Sequence, residues 1–428
     1  MSRAVRRLGA AFALLIAIAL LLGALVAWLN VRGEEPVDAT LPPAATPEQI
    51  ERGAYLARAG NCMGCHTARG GTPYSGGRAV PTPFGDVYAP NLTPDAATGI
   101  GGWSDSQFWR ALHHGRSRDG RLLYPAFPYP NYTRIARADA DAIHAYLRSL
   151  APVHQPNRPH ELRFPFDQQA ALAVWRALYF RPAPFEPDPA RTAAWNRGAY
   201  LVEGLGHCNA CHASRNALGA TANPLDLAGG LIPVQNWYAP SLTSPYEASV
   251  TGWPAADVSA LLKTGVAPRA SVSGPMSEVV LGGTQHLNAS DLAAMVDYLR
   301  TLPTGNAVAP IEPDPPYRPS AVGGKIYEQH CAACHGEQGE GVRGAYPALA
   351  RNRAVLLDST ANLVHIVLEG GFPPATPGNP RPFGMPPFAT VLNDTEVAAL
   401  LSYLRASWGN QAPPVSAVEV GRFRSTSR

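Results

Sequence analysis

No cysteine in this chain stands alone. The 428 residues hold six, all of them in three Cys-x-x-Cys pairs, so none remains for a disulfide between distant segments. Methionine is almost as scarce, at five residues, and any role that needs a thioether has few candidates. Neither sign of charge predominates: 35 Lys and Arg stand against 32 Asp and Glu, for a net charge of +3. That balance gives no argument for nucleic-acid binding. There is no Gly-rich nucleotide fingerprint and no nucleophile constellation, which argues against a substrate-oxidising site on this chain.

What is present is a motif repeated three times: Cys62-Met63-Gly64-Cys65-His66, Cys208-Asn209-Ala210-Cys211-His212 and Cys331-Ala332-Ala333-Cys334-His335. In Cys-x-x-Cys-His the two thiols form thioethers with a haem edge, and the adjacent His folds back beneath the iron as its proximal ligand. A zinc ribbon needs two Cys pairs close together, whereas these lie more than a hundred residues apart and are odd in number. A thioredoxin-like dithiol requires neither the His nor three copies. The expectation is three covalently bound haem c groups, held by Cys62, Cys65, Cys208, Cys211, Cys331 and Cys334, with His66, His212 and His335 on the iron.

The chain begins with Arg3, Arg6 and Arg7, followed by an uncharged apolar run from Leu8 to Leu29. That length suits a bilayer span of about 20 residues. The preceding basic residues put the N-terminus in the cytoplasm and the rest in the periplasm. The expectation is therefore inner-membrane anchoring through residues 1–34, with a cleaved signal peptide as the alternative.

Three segments then share one plan. Arg52-Gly53-Ala54-Tyr55-Leu56 precedes the first motif as Arg197-Gly198-Ala199-Tyr200-Leu201 precedes the second. Tyr88-Ala89-Pro90-Asn91-Leu92-Thr93 returns as Tyr238-Ala239-Pro240-Ser241-Leu242-Thr243. Asp297-Tyr298-Leu299-Arg300 and Ser402-Tyr403-Leu404-Arg405 close the second and third segments. Repetition on this scale indicates three copies of one unit. The expected fold is all-α: three tandem cytochrome c-like domains over 46–155, 191–303 and 319–410, behind the transmembrane helix. A Pro- and aromatic-rich linker (156–190), a stiff Pro-rich connector (304–318) and a flexible tail (411–428) complete the chain. Within the first unit, Thr46-Pro47-Glu48-Gln49 forms a capping box, and Ile143, Tyr146, Leu147 and Leu150 fall on one helix face.

The far side of each iron narrows to a short search. Met1 is the initiator, Met63 lies inside a motif, and Met295 belongs to an apolar helix stripe. Met385, in Phe383-Gly384-Met385-Pro386, and Met276, in Gly274-Pro275-Met276, remain as sixth ligands for the third and second haems. In the first unit, Tyr124-Pro125-Ala126-Phe127-Pro128-Tyr129 carries Phe127 where the repeat calls for Met. Its iron is left with His113, with His114, or with an open or otherwise filled face. His144, His154 and His160 read as structural.

With these motifs, the N-terminal segment and the Tyr124–Tyr129 stretch, residues 46 to 408 resemble the three-haem cytochrome c subunits of membrane-bound bacterial alcohol, gluconate and sugar dehydrogenases. The resemblance implies an electron conduit with no bond-making chemistry of its own. A periplasmic dehydrogenase subunit carrying FAD, pyrroloquinoline quinone or molybdenum would supply electrons, and ubiquinone in the membrane would receive them. Two other readings stay open: a ligand-binding haem enzyme with an open first haem, and a direct donor to a terminal oxidase or reductase.

Overall fold

A computed structural model describes residues 3–221, 226–304 and 318–426; most of the connector expected over 304–318 lies outside them. The N-terminal run forms α1, Arg3–Val31, with no buried residue. It is long and apolar enough to cross a membrane: 29 residues at 1.5 Å each span about 44 Å, against roughly 30 Å of hydrocarbon.

The rest is built on three crossed helix pairs. α2 (Pro47–Ala59) starts at the Thr46 and Gln49 capping box that the sequence indicates. α3 (Asp105–His114) carries a second one, from Ser104 and Gln107. α2 crosses α4 (Arg137–Arg148). Between the first and second units lies α5 (Gln169–Tyr179). In the second unit α6 (Ala193–Tyr200) is followed by α7 (Ala255–Thr264), α8 (Pro275–Gly282) and α9 (Ala289–Arg300), and α6 packs on α9. In the third, α10 (Ala321–His330), α11 (Ala361–Glu369) and α12 (Asp394–Ala406) repeat the arrangement, with α10 on α12.

Each crossing depends on a glycine. A Cβ added at Gly53 would meet the Ala142 carbonyl oxygen at 1.8 Å, one at Gly198 the Ala294 carbonyl at 2.0 Å, and one at Gly323 the Ala399 carbonyl at 2.2 Å. In all three the next obstacle includes a tyrosine Cβ, of Tyr146, Tyr298 or Tyr403. The repeated Gly and the repeated Tyr of the closing helix are thus two sides of one contact. Gly323→Ala is expected to push α10 off α12 and cost about 1–3 kcal/mol by overpacking, read as a lower denaturation midpoint of the holoprotein. An unchanged midpoint would mean the helices cross less closely than this.

The first two pairs share one continuous core that includes Leu56, Ile143, Leu147, Leu201, Leu205 and Val296. The third pair has its own, around Val364, Leu368, Val397 and Leu401. The expected linker is largely part of the first unit. The Asn91 N–H donates to Asn157 Oδ1 at 2.7 Å. The antiparallel strands β1 (Ala79–Thr82) and β2 (Gly85–Tyr88) gain a third neighbour in β3 (Glu161–Leu162). Two more two-residue hairpins occur, β4–β5 (Gly230–Leu231 with Tyr238–Ala239) and β6–β7 (Val266–Ala267 with Ala270–Ser271). The fold is therefore helical with small ladders rather than purely α. The ladders arise where Gly- and Pro-rich loops must satisfy backbone groups beside the motifs.

The tail also departs from expectation. Residues 417–426 form α13, Ala417–Thr426, which packs on α11 and α12 and buries Val420 completely. Its apolar residues are too few to show as a stripe, and polar bonds described below hold the approach to it.

Candidate haem sites

Each Cys-x-x-Cys-His motif is a single helical turn placed after the first helix of a crossed pair: Cys62–Cys65, Asn209–His212 and Ala332–His335; in the second unit a π-helical turn, Leu201–Leu205, lies between. The residues before the first two motifs, Asn61 and His207, take left-handed backbone angles (φ 48° and 40°). Cys62 and Cys208 both pack against the shared core.

The three histidines share one geometry. His66 Nδ1 lies 2.8 Å from the Pro90 carbonyl, His212 Nδ1 2.7 Å from the Pro240 carbonyl, and His335 Nδ1 2.9 Å from the Pro347 carbonyl. A carbonyl only accepts, so Nδ1 carries the proton and Nε2 keeps its lone pair for a metal. Burial lowers the pKa of all three rings, against the pull of the carbonyl bond, and favours the neutral form that ligates iron. The repeated Tyr-Ala-Pro segment therefore has a function that motif reading alone missed. It supplies the carbonyl that orients the motif histidine, and Tyr346-Pro347 does the same in the third unit.

The six thiols form no disulfide. Burial pushes Cys62 and Cys208 up to about 12 and Cys331 up to about 11. Paired thiols beside a neutral, pre-oriented imidazole fit a c-type haem. Among the described residues no cluster of His, Cys, Asp and Glu suits a free metal ion.

The candidate distal ligands differ in their settings. Met385 is pinned by a two-way backbone bridge to Gly371, at 2.8 and 3.0 Å, and packs against the third core. Gly370 (φ 66°) is required there, since a Cβ would lie 2.3 Å from the Met385 carbonyl. Met276 lies in the first turn of α8 rather than on an extended loop, and packs against the shared core. Gly274, two residues earlier, leaves room for the Trp237 ring, which a Cβ would meet at 2.8 Å.

In the first unit Phe127 packs against the core, 5.3 Å from the Tyr132 ring and 6.4 Å from Tyr129. Tyr132 lies near enough to Cys62 and Cys65 to feel their charge. Its phenol is raised well above the ordinary value, chiefly by burial. His113 stacks on Trp109 at 4.4 Å and meets His114 edge-on at 4.7 Å. Burial lowers the pKa of the His113 ring, and its buried Nδ1 has no hydrogen-bond partner among the described residues. Lys263, at the matching place in the repeat, donates from Nζ to the Leu287 carbonyl at 2.6 Å. His114 is lowered to about 4 by burial and the neighbouring cations and lines a small cleft with Glu34, Trp109 and Arg137. His144 is fully buried, 2.6 Å from Asp105, and His160 accepts from the Tyr88 N–H at 3.1 Å.

The first two sites face each other across a reciprocal interface. Asp139 on α4 takes Arg52 of its own unit and the Tyr200 hydroxyl of the next, the latter at 2.7 Å. Asp291 on α9 takes Arg197 of its own unit at 2.8 Å and the Tyr55 hydroxyl of the first at 2.7 Å. Asn131, beside the Phe127 segment, donates to Asn209 inside the second motif at 2.5 Å. Asn61, before the first motif, rests on Gly282 and Gly283 after Met276. The third unit grips the second through Asn362, which bonds both backbone groups of Tyr238 at 2.8 Å, and through His365, stacked on Trp237 at 4.9 Å.

Burial works to raise Asp291, but hydrogen bonds from Arg197 and Tyr55 outweigh it and hold the carboxyl below its usual range. Such a group stabilises the fold fully above its unfolded value near 3.9, and the contribution is lost as pH falls through the folded value. Asp291→Asn is therefore expected to lower the unfolding midpoint at neutral pH, with the gap to wild type closing below about pH 4. A gap that stays constant with pH would show that the carboxylate charge is not what holds the two units together.

Cys-x-x-Cys-His turns with Nδ1-anchored histidines beside crossed helices define a c-type cytochrome. Residues 50–151 and 320–408 match the cytochrome c family. The alcohol dehydrogenase (quinone) cytochrome c subunit of Gluconacetobacter polyoxogenes is 36% identical over 90% of this chain and 86% of that one. The gluconate 2-dehydrogenase cytochrome c subunit of Pantoea cypripedii is 36% identical over 88% and 89%. The fructose dehydrogenase cytochrome subunit of Gluconobacter japonicus is 34% identical over 94% and 87%. The chain belongs to the family of cytochrome c subunits of bacterial dehydrogenases, and it is an electron-transfer protein carrying covalent haem c.

Proposed function

We propose that this chain is a membrane-anchored, three-haem conduit. It takes electrons from a periplasmic dehydrogenase subunit and delivers them to ubiquinone in the inner membrane. The observation that carries the reading is the threefold recurrence of one geometry: a motif turn under a Gly-mediated helix crossing, with its histidine Nδ1 on a proline carbonyl. Cys62 and Cys65, Cys208 and Cys211, and Cys331 and Cys334 would hold the haems, with His66, His212 and His335 proximal and Met276 and Met385 distal. When bound, haem iron supplies reversible one-electron chemistry. The protein's part is to fix the histidine tautomer, seal two irons with soft ligands, and hold the first two sites against each other.

The dehydrogenase partner could carry FAD, pyrroloquinoline quinone or molybdenum, and the names of the relatives favour no single substrate. The test is purification from native membranes in mild detergent, with haem counted against polypeptide mass and co-purifying chains identified by mass spectrometry. Three haems and a dehydrogenase subunit are expected. Fewer haems, or a terminal oxidase as the sole companion, would sink the proposal.

One observation favours a second reading for the first site. Phe127 stands where a methionine ligand belongs, and the His113 ring is stacked on Trp109, which together would leave that iron open to a small ligand.

A further inference from the structure

We infer that α5, with the loop before it, lies in the membrane interface and seats the first haem unit on the lipid surface; this rests on the reading of α1 as a retained span. α5 is packed alongside the outer end of α1. Asn30 Nδ2 donates both to Val26 within α1 and to the Ala173 carbonyl of α5, at 2.8 and 2.9 Å. Arg176, buried to 2%, donates to Asn30 Oδ1 at 2.9 Å and to the His114 carbonyl at 2.7 Å. It lies over the Tyr129 and Phe180 rings at 5.0 and 4.8 Å. One guanidinium thus bolts α1, α5 and the first unit together. Glu34 extends the joint to Arg110 and Arg116 at 3.5 and 3.4 Å.

The depth of this joint is set by α1 itself. Trp28 is 58% exposed, with the Arg32 guanidinium 6.0 Å from its ring. An amphipathic aromatic next to a basic residue at the end of an apolar run marks the headgroup level. Asn30, between them, touches the middle of α5, so α5 lies at that level too.

Its outward face suits the position. Val174 and Leu178, one turn apart, are 47% and 64% exposed, and Phe164 in the preceding loop is 81% exposed. Trp175 and Tyr179 flank the stripe 5.5 Å apart, and the opposite face buries Leu172 and Arg176. At 11 residues, about 16 Å, the helix is too short to span and amphipathic enough to lie flat. Water is a poor neighbour for such a stripe, and a lipid surface at that depth is a good one.

The haem motifs consume every native cysteine, so Val174→Cys or Leu178→Cys gives the full-length holoprotein one free thiol. Each would be labelled with an environment-sensitive fluorophore and reconstituted into nanodiscs containing phosphatidylglycerol, without any dehydrogenase. A Val322→Cys control sits on exposed α10. Expected are a blue shift at 174 and 178 and stronger quenching by nitroxide near the headgroups than by nitroxide deep in the chains, with neither at 322. If 174 and 178 behave like 322 while intact mass shows α1 present, the inference falls and the anchor reading stands. Shielding that appears only when a dehydrogenase subunit is added overturns it in favour of a protein contact. Loss of residues 3–31 with no disc association would take both down together.

Discussion

Carbon monoxide added to the reduced protein is expected to bind rapidly at about one third of the haem and leave the rest unchanged. On the proposed reading Met276 and Met385 would serve two of the three sites, and a thioether bound to iron keeps small ligands out. The first site has no such group. Phe127 fills the position with a ring that cannot ligate, packed against Tyr132. Tyr132 lies close to the Cys62 and Cys65 turn, and burial raises its phenol well above the ordinary value. His113 stacks on Trp109. Phe127→Met should abolish the binding and raise the potential of that haem, because a Met–His pair favours the reduced iron. If wild type binds no carbon monoxide and His113→Ala begins to, His113 is the sixth ligand and the open-site reading is lost.

How legible this was in the sequence varied with the kind of interaction. The motifs, the Thr46 and Ser104 caps and the closing-helix stripe are local and appear directly as residue spacing. The proline carbonyls were visible only as a repeat without a purpose, since a backbone acceptor leaves no side-chain signature. The shared core and the Asp139 and Asp291 crossovers were hidden, because each joins residues more than sixty positions apart and reads in sequence as an ordinary surface tyrosine and carboxylate. The short strands escaped because ladders of two to four residues are too short to show a periodicity. The tail was misjudged for a related reason: what fastens it is backbone carbonyls meeting polar side chains of α12.

That fastening leads to the second large effect. Arg405, 1% exposed, donates to the carbonyls of Val355 and Leu357 and, through Nε, to Pro413, each at 2.7 Å. Ser402 bonds both backbone groups of Val415, at 2.9 and 3.2 Å. Asn410 reaches the carbonyls of Leu349 and Leu404, at 3.0 and 2.7 Å. The tail therefore closes over the third core, and Arg405 is the hub that joins it to the segment after the third motif. Replacing Arg405 with Met strands three carbonyls that had a charged donor, two of them buried, a loss of about 3 kcal/mol or more. Arg405→Met should release residues after Ser407 to limited proteolysis and lower the unfolding midpoint of the third unit. Arg405→Lys should recover only part of the loss, because an ammonium lacks the planar fork that reaches carbonyls on two sides. An Arg405→Met protein with the wild-type midpoint and an uncut tail would mean that the apolar contacts of Val415 and Val420 hold α13 without it.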